Sequence, residues 1–513
     1  MAKSTNVFML ILVLCLLQSA LANMFSSLSL PDEYSLLFQF KENISINNSA
    51  SFDSHAYPKV SSWNLNRSDG AGNCCLWDGV ECKSGNVIGL DLSNSFLYGP
   101  ISSNNSLFNL IHLRTLNLAD NDFCSSQIPS KIGRVSLLAN LNLSRSLFSR
   151  EIPKQISQLR NLASLDLTGN GYHALKLQSS NFQNLRSTLI VNIDSELPTS
   201  IGNLTRLNIL KLSNCGLAGT LHASVGNLTR LTVLDLGNNY FSGPIPSGIF
   251  NLQTLQLLDV HCNYKLTGHI PEFHGSIPAS IWNLTHLKVL DLGFSSFTGT
   301  LHASVSNMTQ LTFLDLSGIE FTGSLPSLER FSNLAYLSLS GSSFDRWKLP
   351  DWFGKLKKIT YLNLEDVNLY GEIPSSFFNL TRVGTLVLSR NQLIGQLPSS
   401  LLNLQNLESF YLDGNNATVD FYLFLSLKNL NYLNLRGNNI RLSVIDSHKT
   451  ETQFKVLWRA SCNLKVFPEF LRFQHQLEFL YLDNNKIEGL IPGWMWNISK
   501  ETLIELRLSQ KTY

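Results

Sequence analysis

Aromatic and charged side chains recur about every 24 residues in the second half of the chain, within the range of a structural repeat. Tyrosine and tryptophan offer large amphipathic anchors, and nearby carboxylate, amide and guanidinium groups add polar contacts. This chemistry is that of non-covalent recognition of a peptide or protein. The candidate ligand-binding residues are Tyr336, Tyr361, Asn363, Glu365, Tyr411, Asp413, Tyr432, Arg436, Trp458, Tyr481 and Asp483.

Catalytic motifs do not accompany these residues. The sequence has no His-Glu-x-x-His, no Gly-x-x-x-x-Gly-Lys and no Gly-x-Ser-x-Gly, which are signatures of metalloproteases, phosphate-binding loops and serine hydrolases. The 11 histidines show no metal-site spacing. We therefore expect a non-enzymatic protein without a cofactor or a metal.

The positioning element is a leucine-rich repeat that begins near Val87. About 17 copies follow, the last of them incomplete. In each Leu-x-x-Leu-x-Leu phrase the last two leucines point inward along a short strand, and the following Asn satisfies backbone groups at the turn. The pattern predicts an α/β leucine-rich-repeat solenoid, curved and superhelical, with a parallel β-sheet on its concave face and 3-10 or irregular segments on its convex side. One predicted core row is Leu210, Leu234, Leu290, Leu314, Leu362, Leu386, Leu433 and Leu480.

Three residues depart from the repeat in informative ways. Cys215 and Cys462 stand at the turn position of the Asn, where we interpret both as structural thiols rather than nucleophiles. Arg459 stands where a core leucine belongs, and it costs stability unless it is paired or reaches solvent.

Aspartates dominate one position of the earlier repeats, next to the inward leucine. This part of the strand surface is therefore predicted to be acidic and to favour a basic ligand. The aspartates are Asp166, Asp235, Asp259, Asp291 and Asp315.

The N-terminal residues predict entry into the secretory pathway. Residues 1–22 read as a removed signal peptide, with a basic start, an apolar run and a small-x-small cleavage site. No later stretch is long and apolar enough to span a membrane. Twelve Asn-x-Ser/Thr sequons predict a glycoprotein: Asn43, Asn47, Asn66, Asn104, Asn142, Asn203, Asn227, Asn283, Asn307, Asn379, Asn416 and Asn497.

Charge excludes a nucleic-acid partner. The 513 residues include 39 Lys+Arg and 37 Asp+Glu, a net charge of +2, whereas nucleic-acid binding needs a concentrated basic surface. Only 15% of the residues are charged, so much of the surface polarity must come from Asn, Ser and Thr.

The repeat unit, Leu-x-x-Leu-x-Leu-x-x-Asn-x-Leu-x-Gly-x-Ile-Pro, resembles the plant extracellular class of leucine-rich repeats. Further phrases resemble the cap and the late repeats of plant receptor-like proteins of the disease-resistance class. These phrases are Asp32-Glu33, Ser62-Trp63, Cys74-Cys75-Leu76-Trp77-Asp78-Gly79-Val80-Glu81-Cys82, Ala460-Ser461-Cys462-Asn463-Leu464 and Trp494-Met495-Trp496-Asn497-Ile498.

The resemblance implies an N-terminal cap at residues 23–85 and repeats over residues 86–513. It also implies a receptor on the extracellular face of the plasma membrane that binds a peptide or protein ligand and signals in plant defence through a partner receptor-like kinase. In the cap, where the family has a Cys before the Asp-Glu pair, this chain has Ser29-Leu30-Pro31. Cys82 is therefore expected to bond either Cys74 or Cys75, and the sequence leaves the choice open.

Two alternatives remain at this stage. The chain stops at Tyr513 inside a repeat, which favours a truncated gene model, and the product is then a non-functional or decoy fragment. A secreted inhibitor of pathogen pectin-cleaving enzymes shares this type of repeat and lacks a membrane helix. The decoy and the inhibitor are both secreted rather than anchored.

Overall fold

The computed structural model describes residues 32–63, 73–149, 151–170, 195–267, 277, 279–441 and 452–508. The signal peptide predicted at residues 1–22 and the sequon at Asn66 lie outside these residues. The chain divides into two compact units, unit 1 (Met1–Leu165) and unit 2 (Asp166–Tyr513).

Unit 1 begins with an amphipathic helix, α1 (Glu33–Glu42). Asp32 caps it, because its side chain accepts a hydrogen bond from the Ser35 backbone N–H at 2.8 Å. An acidic first turn and a basic last turn suit the helix dipole. The face that carries Leu36, Leu37 and Phe40 is buried.

An aromatic stack and a disulfide hold the cap together. Trp77 lies between Tyr34 and Trp63, at ring-centroid distances of 4.9 and 5.1 Å. Cys75 and Cys82 form a disulfide, which resolves the pairing that the sequence left open. Cys74 is a buried free thiol.

The strands of unit 1 start the sheet. β2 pairs antiparallel with β3, and β3, β5 and β6 follow in parallel, while β1 pairs antiparallel with β4. The strands are β1 (Ser45–Ile46), β2 (Val80–Lys83), β3 (Asn86–Asp91), β4 (Leu97–Tyr98), β5 (Thr115–Asn117), β6 (Asn140–Asn142) and β7 (Ser164–Asp166). The 3-10 helices are Asn48–Ala50, Lys59–Ser62, Cys74–Leu76, Ser106–Asn109, Ser130–Arg134 and Lys154–Gln158.

Unit 2 contains one long parallel sheet, here called the main sheet, to which each repeat contributes a short strand. Adjacent strands pair in register, and the predicted leucine row is buried throughout. The strands are β8 (Ile209–Lys211), β10 (Val233–Asp235), β12 (Leu257–Asp259), β14 (Val289–Asp291), β16 (Phe313–Asp315), β18 (Tyr336–Ser338), β19 (Tyr361–Asn363), β21 (Thr385–Val387), β23 (Ser409–Tyr411), β25 (Tyr432–Asn434), β27 (Val456–Trp458), β28 (Phe479–Tyr481) and β29 (Glu505–Arg507).

Further small parallel sheets, which the sequence did not predict, follow the turns of unit 2. Gly219 and Gly243 adopt φ values of +78° and +71° there, a conformation that glycine adopts without steric cost. The strands are β9 (Ala218–Thr220), β11 (Tyr240–Pro244), β13 (Lys265–Thr267), β15 (Thr298–Thr300), β17 (Glu320–Thr322), β20 (Tyr370–Gly371), β22 (Gln392–Gln396), β24 (Asn416–Asp420) and β26 (Asn439–Arg441).

The predicted 3-10 segments are confirmed. Five sequon asparagines, Asn203, Asn227, Asn283, Asn307 and Asn379, each end a 3-10 helix and are exposed. The helices of unit 2 are Thr199–Asn203, Ala223–Asn227, Ser247–Asn251, Ala279–Asn283, Ala303–Asn307, Asp351–Lys355, Ser375–Asn379, Ser399–Asn403, Phe421–Ser426, Glu469–Phe473 and Gly493–Asn497.

Buried asparagines satisfy the backbone where each coil turns, as the sequence predicted. The Asn239 side chain donates to the carbonyls of Leu212 and Leu236, and its Oδ1 accepts from the backbone N–H of Leu217. One amide thus joins adjacent repeats, and Asn263, Asn391, Asn415, Asn438 and Asn485 repeat the donating pattern.

Cys215 and Cys462 occupy the same position with a thiol. Their Sγ atoms donate to the carbonyls of Leu167 at 3.0 Å and Leu435 at 3.2 Å. Burial raises the pKa of Cys215 to about 12 and that of Cys462 to about 11. A protonated, buried thiol is a poor nucleophile, which supports a structural role for both.

Within the described ranges, no helix has the length and hydropathy needed to cross a membrane.

Candidate functional site

The aromatic residues predicted to face outward from the main sheet lie in two columns. Strand pairing aligns Tyr336 with Tyr361 in one column, and Trp458 with Tyr481 in the other. Because side chains alternate along a strand, both columns flank the buried leucines on the same face. The structure divides these candidates into two groups with different environments.

The first group is a stacked ladder of three rings. Tyr336 lies between Phe313 and Tyr361, with ring centroids 4.1 and 4.4 Å away and the rings nearly parallel. Its hydroxyl donates to Asp315 Oδ2 at 3.2 Å, and burial, with the Asp315 charge second, raises its pKa. Each shared ring face is covered by its neighbour, so the ladder offers a ligand mainly ring edges.

Asn363 and Glu365 are also occupied locally. Asn363 Oδ1 accepts from the backbone N–H of Glu365 at 3.0 Å, and the Glu365 carboxylate lies 3.4 Å from Nε of Arg390. Asn363 ends β19 and Glu365 lies in the turn that follows, and neither lines the pockets described next.

The second group forms an open pocket of about 310 Å³, here called the aromatic pocket. Trp458 and Tyr481 meet edge to face, with centroids 5.6 Å apart and an interplanar angle of 61°. The pocket is lined by Tyr411, Tyr432, Leu433, Asn434, Val456, Trp458, Phe479 and Tyr481.

A shallower depression of about 600 Å³, here called the charged depression, adjoins it and shares Asn434, Trp458 and Tyr481. Asp413 Oδ1 accepts hydrogen bonds from Ser389 at 2.5 Å and from Asn434 at 3.0 Å. The lining residues are Asp413, Asn434, Arg436, Trp458, Ala460, Tyr481, Asp483, Asn484 and Arg507. The structure thus brings together seven predicted residues: Tyr411, Asp413, Tyr432, Arg436, Trp458, Tyr481 and Asp483.

Sequence reasoning missed Arg507. It pairs with Tyr481 across β28 and β29, and its guanidinium lies 4.8 Å from the centre of the Tyr481 ring. Its Nε is 2.6 Å from Glu505 Oε1, and that carboxylate is the first cause of the raised pKa of Arg507. Arg507 follows Leu506 just as Trp458 follows Leu457 and Tyr481 follows Leu480. Continuing that column of outward residues by one repeat would therefore have predicted it.

Arg459 is fully buried behind this surface, and it neither pairs nor reaches solvent. Within the described ranges its three side-chain nitrogens have no hydrogen-bond partner. The guanidinium instead lies 3.9 Å from the centre of the Phe421 ring and 5.6 Å from that of Phe470. Burial lowers its pKa to about 10, and the faces of the two rings attract the charge.

The acidic column of unit 2 lies in register on four neighbouring strands. Asp235, Asp259, Asp291 and Asp315 pair in sequence across β10, β12, β14 and β16. Burial first, and then the charges of Asp259 and Asp315, raise the pKa of Asp291 to about 7.

A histidine partly neutralises this column. His261 Nδ1 is 2.6 Å from Asp259 Oδ1 and 3.8 Å from Asp291 Oδ2, and the hydrogen bond to Asp259 raises the pKa of His261 to about 9. Asp259, His261 and Asp291 place three atoms of metal-ligating type within 4.8 Å of one another. No short sequence motif indicates this group, because 32 residues separate Asp259 from Asp291. The 2.6 Å contact between His261 and Asp259 favours an ion-paired histidine over a metal ligand. That the chain binds no metal stays a prediction.

A depression of about 750 Å³ lies in the cap of unit 1 and is lined in part by Glu33, Cys74 and His112. Its polar groups contact one another, since Glu33 accepts from the Val87 backbone N–H and lies 3.1 Å from His112 Nδ1. The aromatic pocket and the charged depression, which gather the predicted recognition residues, are the candidate site.

Comparison with protein families confirms the leucine-rich repeat that the sequence predicted. A model of the leucine rich repeat N-terminal domain matches residues 30–83, and the Leucine Rich Repeat model matches residues 230–252 and 476–498. The chain is 37% identical over 244 residues to receptor-like protein 6 of Arabidopsis thaliana, covering 42% of this chain and 24% of that protein. It is 34% identical over 232 residues to receptor-like protein Cf-9 of Solanum pimpinellifolium, covering 41% and 26%.

The chain carries a leucine-rich-repeat N-terminal domain and leucine-rich repeats, and it is similar to plant receptor-like proteins. Its matches to receptor-like protein 6 and to Cf-9 span about a quarter of each relative's length.

Solved structures agree on the fold. A TDR receptor is 26% identical with a TM-score of 0.57, covering 83% of this chain and 75% of that one. RGFR1, a plant peptide hormone receptor solved in complex with RGF2, is 22% identical with a TM-score of 0.54, covering 85% and 83%. The Arabidopsis receptor kinase HAESA, solved with the peptide hormone IDA and the co-receptor SERK1, is 24% identical with a TM-score of 0.53, covering 94% and 86%.

Proposed function

We propose that this chain is the non-enzymatic, extracellular recognition module of a plant receptor-like protein. Residues 23–85 form its cap and residues 86–513 its repeats, after removal of a signal peptide. It binds a peptide or protein ligand on the outward face of the main sheet and acts in defence signalling through a partner receptor-like kinase at the plasma membrane.

The observation that carries this proposal is the aromatic pocket with its adjoining charged depression. Large rings that leave faces open, beside charged groups, are the residue types that dominate binding energy at protein interfaces. The residues sit on short paired strands or directly after them, which holds them in fixed positions.

Two further lines support the ligand class and the partner. RGFR1 and HAESA are structurally similar receptors solved with peptide hormones, and HAESA also with a co-receptor. Receptor-like protein 6 and Cf-9 are the basis for placing the chain among receptor-like proteins.

The test uses the intact protein expressed in leaves, either unchanged or with Tyr411→Ala, Trp458→Ala and Tyr481→Ala combined. Leaves are challenged with pathogen culture filtrate, and the oxidative burst and the co-purification of a receptor-like kinase are measured. We expect both responses from the unchanged protein and neither from the triple variant, at equal secreted amounts. An equal burst from the variant, or none from the unchanged protein, would contradict the proposal.

A further inference from the structure

The aromatic pocket and the charged depression are continuous, because Asn434, Trp458 and Tyr481 line both. We propose that together they bind a peptide segment in which one bulky apolar side chain enters the aromatic pocket and an adjacent carboxylate pairs with Arg436. This inference rests on the proposed function, since it specifies the ligand of the same surface.

The size of the pocket limits its occupant to one side chain. Its volume of about 310 Å³ is at the lower end of small-molecule sites, which span roughly 300–1,000 Å³. The walls are mostly aromatic and aliphatic, with Val456 and Phe479 on neighbouring strands. A phenylalanine, tryptophan or leucine side chain matches both the volume and the chemistry.

The orientation of the rings separates this pocket from the stacked ladder. Trp458 and Tyr481 meet at 61°, whereas Tyr336 and Tyr361 are stacked at 3°. An edge-to-face pair leaves ring surface open, and an inserted ring extends such a cluster favourably. The rings of the ladder cover one another's faces, so the aromatic pocket is the better site for an inserted apolar side chain.

One cation of the depression, Arg436, is available to an anion next to that anchor. Asp413 is held by Ser389 and Asn434, and Arg507 is paired with Glu505 and lies near Asp483. Arg436 is exposed, and no carboxylate of the described residues lies within ion-pair distance of its side chain.

A second cation stands behind the same surface. Arg459 follows Trp458 on the chain, and it is fully buried with no hydrogen-bond partner within the described ranges. A charge in a low-dielectric interior is weakly screened. Arg459 therefore adds positive potential to the depression that Trp458 and Ala460 line.

The test measures binding of peptide pools to the purified full chain by fluorescence anisotropy. Each pool has randomised flanks, an amidated C-terminus and a fixed central pair: Phe-Asp, Phe-Asn, Phe-Lys or Ala-Asp. We expect Phe-Asp to bind best, Phe-Asn about tenfold more weakly, and Ala-Asp not measurably. A further pool with Phe as a free C-terminal residue distinguishes a terminal carboxylate from an acidic side chain.

Variants assign the effect to residues. Arg436→Glu should reverse the preference between Phe-Asp and Phe-Lys, and Trp458→Ala should remove binding while Trp458→Phe restores part of it. Arg330→Glu alters an exposed arginine that does not line either pocket and should change nothing. Circular dichroism and thermal melts check that every variant is folded.

Three outcomes would overturn the inference: equal binding of all pools, a preference for Phe-Lys, or no binding of any pool. If the leaf response still depends on Trp458 in those cases, only the ligand class is wrong and the proposed function stands. If Phe-Asp binds as expected but the leaf response is absent, the proposed function fails and the binding site stands.

Discussion

At the scale of single residues, a departure from the repeat costs little stability where another group supplies the missing interaction. At Cys215 the thiol replaces the donating amide of the usual Asn with one hydrogen bond to Leu167. Arg459 has no such replacement. The ring faces of Phe421 and Phe470 attract its charge, but they do not accept hydrogen bonds from its N–H groups as a carbonyl or carboxylate oxygen would. Arg459 is therefore the clearest local cost in unit 2.

Replacing this arginine tests that cost. Arg459→Leu restores the repeat leucine, and we expect it to raise the free energy of unfolding by about 1–4 kcal/mol, the range seen when buried charged groups become apolar. Thermal melting of the purified chain measures the change. Arg436→Leu, at an exposed arginine, should stay within about 0.5 kcal/mol. A lower melting temperature for Arg459→Leu would mean that the guanidinium has a stabilising partner.

At the scale of elements, parallel pairing in register stacks like residues on one another. On β10, β12, β14 and β16 this places four aspartates in a row, and the repulsion is relieved only partly by His261. The register that aligns the outward side chains of the main sheet thus also places like charges next to one another.

This repulsion predicts a stability that falls as pH rises. The pKa of Asp291 is raised from 3.8 to about 7, so over that interval the native chain keeps a proton that the unfolded chain has lost. The pKa of His261 is raised from 6.5 to about 9, so its ion pair stabilises the fold below 6.5 and is lost as pH passes about 9. Both groups bind more protons in the native state, which makes stability decrease with pH.

Melting temperatures between about pH 5 and about pH 9 measure this dependence. Asp291→Asn should flatten the lower part of the decline, and His261→Gln the upper part. Asp345→Asn, at an exposed aspartate outside the row, is the control and should follow the unchanged chain. A native chain whose stability rises across this interval, or variants that leave the slope unaltered, would refute the assignment.

Much of this architecture was predictable because it depends on local pattern. Leu234 and Leu314 are buried and Asn239 bridges repeats as the Leu-x-x-Leu-x-Leu-x-x-Asn phrase requires. The stacking of Tyr336 on Tyr361 depends on side-chain rotamers, which the sequence does not encode in any visible pattern. The contact of Arg459 with Phe421 joins residues of different repeats and different elements, so it too could not be foreseen.

At the scale of the molecule, unit 2 keeps its sequons and its recognition residues on different elements. Asn203, Asn227, Asn283, Asn307 and Asn379 end 3-10 helices, whereas the pocket residues lie on the main sheet or directly after its strands. Attached sugars would then cover the helical side and leave the aromatic pocket accessible. This arrangement suits a surface that must meet a macromolecular ligand.

Oxidative footprinting of the purified chain, with and without the filtrate fraction that triggers the leaf response, tests the aromatic pocket directly. We expect Tyr411, Trp458 and Tyr481 to become protected from oxidation, because the ligand covers them, while the exposed Tyr57 and Tyr264 react equally in both samples. Unchanged oxidation of Trp458 and Tyr481 in the presence of an active fraction would contradict the claim that this pocket is the ligand-binding site.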